Sequence, residues 1–180
     1  MGDYQMKTLT LRVLLATAAL AAAGQAAAQS SSTQSTTGTG TIVQPLTLTK
    51  NNDLAFGSVV RPSSGTNTVA VNETTGARTL SGGGNAAPIT STTSRATYTV
   101  DGEGGQAFSI TVPASFNMTR SGGVETLAVT LVSTAATGTL SGSAGAAGSA
   151  AFGVGGSFPL SSTTATGAYS GSFNVTVAYN

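Results

Sequence analysis

The side chains best spaced for joint chemistry are Asp101 and Glu103, the closest pair among the six acidic residues in this chain of 180. On a strand, positions i and i+2 share a face, where two carboxylates could bind calcium or act in glycoside hydrolysis. The pair lies, however, in a glycine-rich run with no third acid nearby, which is typical of a solvated turn. We therefore predict no metal site here, and a hydrolase that uses Asp101 is the least favoured hypothesis.

Other catalytic arrangements lack their essential residues. The sequence has no histidine and no cysteine, which excludes Ser–His and Cys–His nucleophiles and the usual zinc ligands. A serine–lysine mechanism would have Lys50 as its one lysine after residue 28. The glycine-rich run 81–85 lacks the lysine and the following helix of a phosphate-binding loop. We predict a protein that is not an enzyme and that has no cofactor.

The N-terminal residues predict export. Lys7 and Arg12 precede an apolar run over 13–23 that is too short to cross a bilayer, and Ala26 and Ala28 form a small-residue cleavage site. The pattern predicts a signal peptide at residues 1–28, and the alternatives are an N-terminal core helix or a retained anchor. No later stretch is apolar enough to span a membrane. We expect the protein in the periplasm, at the cell surface or in an extracellular appendage of a Gram-negative bacterium.

Removal of residues 1–28 would leave 152 residues, the length of one domain. Two of the seven basic residues and one of the six acidic residues would be lost, so that five of each sign remain and cancel. Without a basic patch, the domain has no electrostatic footprint for nucleic acid. Low net charge weakens the repulsion between copies, which suits a subunit that associates.

Composition predicts an all-β domain. Gly, Ser, Thr, Ala and Val dominate, and short alternating stretches are separated by turn residues, as in an antiparallel sandwich or barrel. We predict a flexible Ser/Thr-rich leader at 29–40 and a β-domain at 41–180. Within the domain, 96–100 and 107–112 are predicted to form a hairpin, and 142–151 is predicted to be a loop rather than a small-residue strand.

The closing segment carries the clearest strand pattern. Large apolar residues alternate there with small or polar ones, which predicts one strand over 169–179 with an apolar and a solvated face. The residues that we expect at this edge are Gly167, Tyr169, Gly171, Phe173, Val175, Val177 and Tyr179.

Four stretches resemble a bacterial family of exported domains, DUF4402: 54–57, 98–102, 107–113 and 167–179. The resemblance covers roughly 41–180. That family is similar to the spore coat protein U and chaperone–usher pilin group, whose subunits are incomplete immunoglobulin-like sandwiches. Subunits of that group typically have a glycine fourteen residues from the C-terminus and a penultimate tyrosine, the positions that Gly167 and Tyr179 occupy. The resemblance implies an antiparallel immunoglobulin-like β-sandwich.

The resemblance also implies assembly by β-strand complementation. A sandwich that lacks a strand exposes an apolar groove and an unpaired edge, which a periplasmic chaperone covers before the N-terminal extension of the next subunit replaces it. The implied partners are copies of this chain or related subunits, a chaperone and an outer-membrane usher. Candidate donor residues are Ile42, Val43, Leu46 and Leu48, although Pro45 lacks an amide donor. Alternatively, 41–48 is the first strand of a complete sandwich.

A monomeric binding module, such as a glycan-binding adhesin, is the main alternative to a structural subunit. Glycan sites usually depend on exposed aromatic side chains. The tyrosines after residue 28 are Tyr98, Tyr169 and Tyr179, and all three alternate with predicted core positions. The pattern therefore favours packing roles for these rings over ligand binding.

Overall fold

The computed structural model describes residues 31–180. The predicted signal peptide and the first two residues of the predicted leader lie outside that range. Residues 31–40 are exposed and have no regular secondary structure, and Thr41–Asn180 forms a compact unit. Within residues 31–180 there is no helix that is long and apolar enough to cross a membrane.

All regular structure in residues 31–180 is β-strand, and every ladder is antiparallel. The strands are β1 (Thr47–Asn52), β2 (Val59–Val60), β3 (Thr66–Val71), β4 (Arg78–Gly82), β5 (Ala87–Pro88), β6 (Ala96–Glu103), β7 (Ala107–Thr111), β8 (Ser115–Arg120), β9 (Thr126–Ser133), β10 (Thr137–Thr139), β11 (Ala147–Ser161), β12 (Tyr169–Ser170) and β13 (Thr176–Tyr179).

The first layer of the sandwich is built on β6 and β11. Strand β6 pairs with β1 on one side and with β11 on the other. Strand β11 has 15 residues; it follows β6 as far as Val154 and then continues beside β3, which also pairs with β4. Residues Tyr98 and Val100 of β6 face the core, whereas the alternating Thr97 and Thr99 are more exposed, as expected of a strand with one buried face.

The second layer consists of three long strands, each interrupted by a bend. Strands β7 and β8 form the middle one, β9 and β10 flank it on one side, and β12 and β13 flank it on the other. Strand β9 also pairs with β11 and joins the two layers along one side, so the sheet curls into a half-barrel. The predicted fold class, an all-β antiparallel immunoglobulin-like sandwich, is confirmed.

Both layers contribute to a single apolar core. Its fully buried members include Val69, Val100 and Val154 from the first layer and Phe108 and Val129 from the second. Burial of each such side chain contributes about 1.5–3 kcal/mol. This packing holds the fold together without a disulfide, since the sequence has no cysteine.

The predicted hairpin between 96–100 and 107–112 is wrong. Strands β6 and β7 follow each other in the chain, but β6 pairs with β1 and β11, whereas β7 pairs with β10 and β13. The glycine-rich residues continue β6 as far as Glu103 and then carry the chain across to the other layer. A local alternation pattern fixes which residues form strands but does not fix their partners.

The predicted loop at 142–151 is correct only in its first half, because β11 begins at Ala147. The small residues of this stretch allow the neighbouring backbone segments to approach it closely. A Cβ at Gly148 would collide with the Ser141 carbonyl and the Gly104 backbone. The stretch is therefore a strand packed tightly on its neighbours, for which only small residues leave room.

The closing segment is two short strands rather than one continuous strand. Strand β12 pairs with β8 and β13 pairs with β7, and 171–175 has no ladder. Seven positions separate Tyr169 from Thr176, whereas nine separate their partners Arg120 and Thr111. The middle strand bends at this point through Pro113, which lacks the N–H that a continuous ladder needs.

Candidate functional site

On the side opposite the junction of β9 with β11, β1 and β13 are edge strands that are each paired along one side alone, and β4, which pairs with β3, is a further edge strand. In residues 31–180, the ladders of β1 are with β6 and those of β13 are with β7, and no described strand lies between β1 and β13. We call the space between these two strands the open groove. An unpaired strand edge presents free backbone donors and acceptors to any chain that can adopt an extended conformation.

The backbone of β13 offers hydrogen bonds to the open groove. The Asn180 N–H donates to the Ala107 carbonyl at 3.2 Å, so even-numbered residues in this register face β7. Because hydrogen-bonding direction alternates along an antiparallel strand, the N–H and C=O groups of Val177 and Tyr179 point away from β7. These groups face the open groove.

Apolar side chains line the groove on both sides. Leu46 and Leu48 lie along the β1 side and pack against the core, but each is only partly buried. The closing segment contributes Phe173, Val175 and Val177, which are also partly buried and alternate with exposed residues. The period of two that the sequence predicted is therefore present, even where the ladder is interrupted. An apolar, unpaired edge of this kind is an association hazard in a free monomer.

Tyr179 closes one end of the open groove. Its hydroxyl donates to the Gln44 carbonyl at 2.7 Å and accepts from the Glu103 N–H at 2.8 Å. If the register that pairs Thr47 with Asp101 continued, Pro45 would lie opposite Glu103, and proline has no N–H for the ladder. The phenol therefore supplies a hydrogen bond where the β1–β6 ladder ends. It can approach because Gly102 has no Cβ, which would otherwise collide with the phenol oxygen.

Glu103 connects the same end of the groove to a neighbouring loop. It is 4% exposed, and its carboxylate accepts from the Gln44 N–H at 3.3 Å and from the Gly145 N–H. A buried carboxylate is tolerated where backbone amides satisfy it. Both acids belong to β6 and not to a turn, so the expectation of a solvated turn is wrong for Glu103 and is correct for Asp101 only in that its side chain is exposed. No cluster of three potential metal ligands occurs within residues 31–180.

The other end of the open groove widens into a cleft of about 550 Å³. Its walls are 54–59, which follow β1, and 164–169, which lead into β12, and Phe158 lies between them. Arg61 ties the two walls together by donating to the Thr164 carbonyl at 2.8 Å. Its lining includes the apolar side chains of Leu54, Phe56 and Met118, so the cleft can accept an apolar side chain.

Gly167 is held beside the β8–β9 hairpin in a conformation that suits only glycine. Its φ is +148°, and a Cβ would lie 3.0 Å from the Arg120 Cγ and Cδ atoms. The Arg120 guanidinium makes two hydrogen bonds to Glu125, at 2.8 and 3.0 Å. These bonds lower the pKa of the Glu125 carboxyl to about 2 and raise that of Arg120.

The structure divides the predicted assembly residues between the two ends of the groove. Gly167, Tyr169 and Gly171 lie toward the cleft, and Tyr179 lies at the closed end. Phe173 lies between them and packs on Phe116 with ring centroids 5.0 Å apart.

The candidate donor residues are divided as well. Leu48 belongs to β1, and Leu46 packs on the domain's own core. Ile42 and Val43 precede Gln44 and are 97% and 42% exposed. Gln44 was missed as a site residue because a lone glutamine carries no periodic signal, and Glu103 was considered only as the partner of Asp101, without its contact to Gln44, because that contact joins residues far apart in the chain.

Comparison with protein families matches residues 46–179 to the family described as a domain of unknown function, DUF4402. The match begins in the segment before β1 and ends at Tyr179, so it covers both sides of the open groove. No curated protein and no solved structure matches this chain.

Proposed function

This chain belongs to the DUF4402 family, and we propose that it is a non-catalytic structural subunit that assembles with other copies by β-strand complementation at the open groove. The observation that carries the proposal is the unpaired edge of β13. Val177 and Tyr179 direct backbone groups into the groove, and partly exposed apolar side chains flank them. An incoming strand would satisfy the backbone groups and cover the side chains in one step.

The residues before Gln44 are the proposed donor. They include Ile42, whose side chain is almost completely exposed, and they follow a stretch that has no regular structure in the described residues. An extended segment of this kind can pair with a strand edge without first unfolding. Of the four donor candidates, Ile42 and Val43 remain free for this role, since Leu46 and Leu48 already pack on their own domain.

Export and handling by partners complete the proposal. The predicted signal peptide at 1–28 would deliver the subunit to the periplasm, where a chaperone would cover the groove and an outer-membrane usher would assist assembly. This part is supported by the resemblance of the sequence to the spore coat protein U and chaperone–usher pilin group. The final location would be the cell surface or an appendage.

Light scattering on the chain from Gln29 onward tests the proposal. We expect oligomers whose mass rises with protein concentration. We expect Ile42→Asp to shift these oligomers toward monomer, because burial of the aspartate carboxylate in an apolar groove is unfavourable. Val124→Asp is the matched control, since Val124 is also 89% exposed but lies in the β8–β9 turn. A wild-type chain that stays monomeric at every concentration would contradict the proposal.

A monomeric glycan-binding module has less support. Tyr98 is buried, and the hydroxyls of Tyr169 and Tyr179 are already bonded to the Ala165 and Gln44 carbonyls. Glycan binding by the wild-type monomer on an array would favour this alternative.

A further inference from the structure

We infer that Tyr179 and Glu103 form a clasp on Gln44 that prevents the residues before Gln44 from turning back into the chain's own groove, so that a second copy of this chain fills it. The inference rests on the proposed function, because it assigns the source of the strand that the groove accepts. It is carried by four hydrogen bonds and by the residue types at 43–46.

The clasp occupies both backbone groups of Gln44. The Gln44 carbonyl accepts from the Tyr179 hydroxyl at 2.7 Å, and the Gln44 N–H donates to the Glu103 carboxylate at 3.3 Å. The same hydroxyl accepts from the Glu103 N–H, and the same carboxylate accepts from Gly145. Four segments that are distant in the chain are therefore linked around Gln44 and Glu103, and both backbone groups of Gln44 are already bonded outside any ladder in the groove.

A chain that filled its own groove would have to reverse direction immediately before β1. Strand β1 begins at Thr47 and forms one side of the groove, so the reversal would fall within 43–46. Tight reversals between antiparallel strands favour Gly, Asn or Asp at positive φ. The residues are Val43, Gln44, Pro45 and Leu46, and in residues 31–180 every residue with positive φ is a glycine.

The side chain of Tyr179 also occupies the space that such a turn would need. It extends from β13 to the Glu103 N–H at the end of β6, and thus crosses the groove where β1 begins. At the other end, the walls of the cleft are joined by the hydrogen bond from Arg61 to the Thr164 carbonyl, which lies beyond β13. A strand from another copy can therefore lie along β13 without displacing the clasp.

The consequence is a contact between two different surfaces of the same chain. The donor lies before Gln44 at the closed end, and the acceptor is the groove that runs from there to the cleft. Contacts of this heterologous kind propagate into open-ended assemblies unless a rotation closes a ring. If the clasp were lost, the residues before Gln44 could fill the groove of their own chain, and the protein would remain monomeric.

Tyr179→Phe tests the inference, because it removes the hydroxyl and keeps the ring. Tyr98→Phe is the matched control, since Tyr98 lies in β6, outside the groove, and stacks on Phe152 through its ring. A nitroxide attached to Thr37→Cys reports the position of the leader, and the label is unique because the chain has no cysteine. Broadening of the amide signals over 169–179 is measured by NMR on the chain from Gln29 onward.

Two samples separate the inference from the proposed function. In a dilute sample with label and isotope on the same chain, we expect broadening confined to the residues beside Tyr179 for wild type or Tyr98→Phe, since residue 37 is seven residues from the clasped Gln44, and broadening that reaches 169–173 for Tyr179→Phe. In a concentrated mixture of isotope-labelled and nitroxide-labelled chains, we expect broadening for wild type. Equal dilute results for wild type and Tyr179→Phe would overturn the clasp, and no broadening in the wild-type mixture would overturn the proposed function.

Amide exchange provides an independent measurement on the same variants. Loss of the phenol leaves the Glu103 N–H without its acceptor, and we expect its exchange to accelerate roughly tenfold or more in Tyr179→Phe but not in Tyr98→Phe. Unchanged exchange of Glu103 and Gln44 would overturn the clasp. If Tyr179→Phe does not fold, Glu103→Gln replaces it, because the amide cannot accept from both the Gln44 and Gly145 N–H groups.

Discussion

At the residue scale, Glu103 is the most unusual group in the domain. It is an acid that is 4% exposed, and its carboxylate is bonded to the backbone amides of Gln44 and Gly145 rather than to a cation. Charge-assisted bonds to amides compensate for the cost of removing a carboxylate from water. The hydrogen bonds of a single side chain thus hold the segment before β1 and the loop before β11 in place.

Replacement of Glu103 should therefore be costly. We expect Glu103→Gln to lower the free energy of unfolding by about 1–3 kcal/mol, because the carbamoyl group turns a donor toward one of the two amides. Asp101→Asn is the control, because Asp101 lies two residues before Glu103 and its side chain is exposed. It should change the free energy of unfolding by no more than about 0.5 kcal/mol. Urea denaturation measures both, and equal losses would argue against the role given to Glu103.

Gly167 gives a second prediction at the residue scale. Gly167→Ala should lower the free energy of unfolding by about 1–3 kcal/mol, since its φ of +148° suits only glycine and the new Cβ would press on Arg120. Gly83→Ala is the control, because a Cβ at Gly83 meets nothing within 4 Å. Thermal denaturation measures both variants. Equal unfolding temperatures for Gly167→Ala and Gly83→Ala would show that a side chain at position 167 does not strain the backbone.

At the element scale, the β8–β9 hairpin is closed by the ion pair between Arg120 and Glu125. Because the pKa of Glu125 is depressed in the folded protein to about 2, this contribution is present above the pKa of the unfolded chain and is lost as pH falls toward 2. Both side chains are partly exposed, so water and salt screen the effect. An NMR titration of the Glu125 carboxyl should give a midpoint near 2 and, in Arg120→Gln, a higher one; an unchanged midpoint would refute the pairing.

The sequence predicted which faces of the strands are buried but not which strands pair. The alternation of Phe173, Val175, Val177 and Tyr179 correctly predicted an inward and an outward face, because strand period depends on local spacing alone. The partners of β6 and β7 could not be read in this way, since pairing depends on residues far apart in the chain. The small-residue half of β11 was missed because its reason is the close approach of Gly104 and Ser141, which no local pattern encodes.

At the scale of the whole molecule, the sandwich is closed along one side and open along the other. The junction of β9 with β11 joins the layers, whereas β1 and β13 leave the open groove between them. An antiparallel all-β sandwich or barrel followed from composition and strand spacing, and the immunoglobulin-like sandwich from the family resemblance. The groove followed only from the family resemblance, because an unpaired edge is a property of the complete set of strands.

Amide hydrogen exchange of Val177 and Tyr179 tests the central claim most directly. Both N–H groups point into the open groove, so they should exchange rapidly in a dilute sample of the chain from Gln29 onward. In an assembled sample an incoming strand would bond them, and we expect exchange to slow by about a hundredfold or more. Rapid exchange of both amides in the assembled sample, or protection already present in the dilute monomer, would contradict strand complementation at this edge.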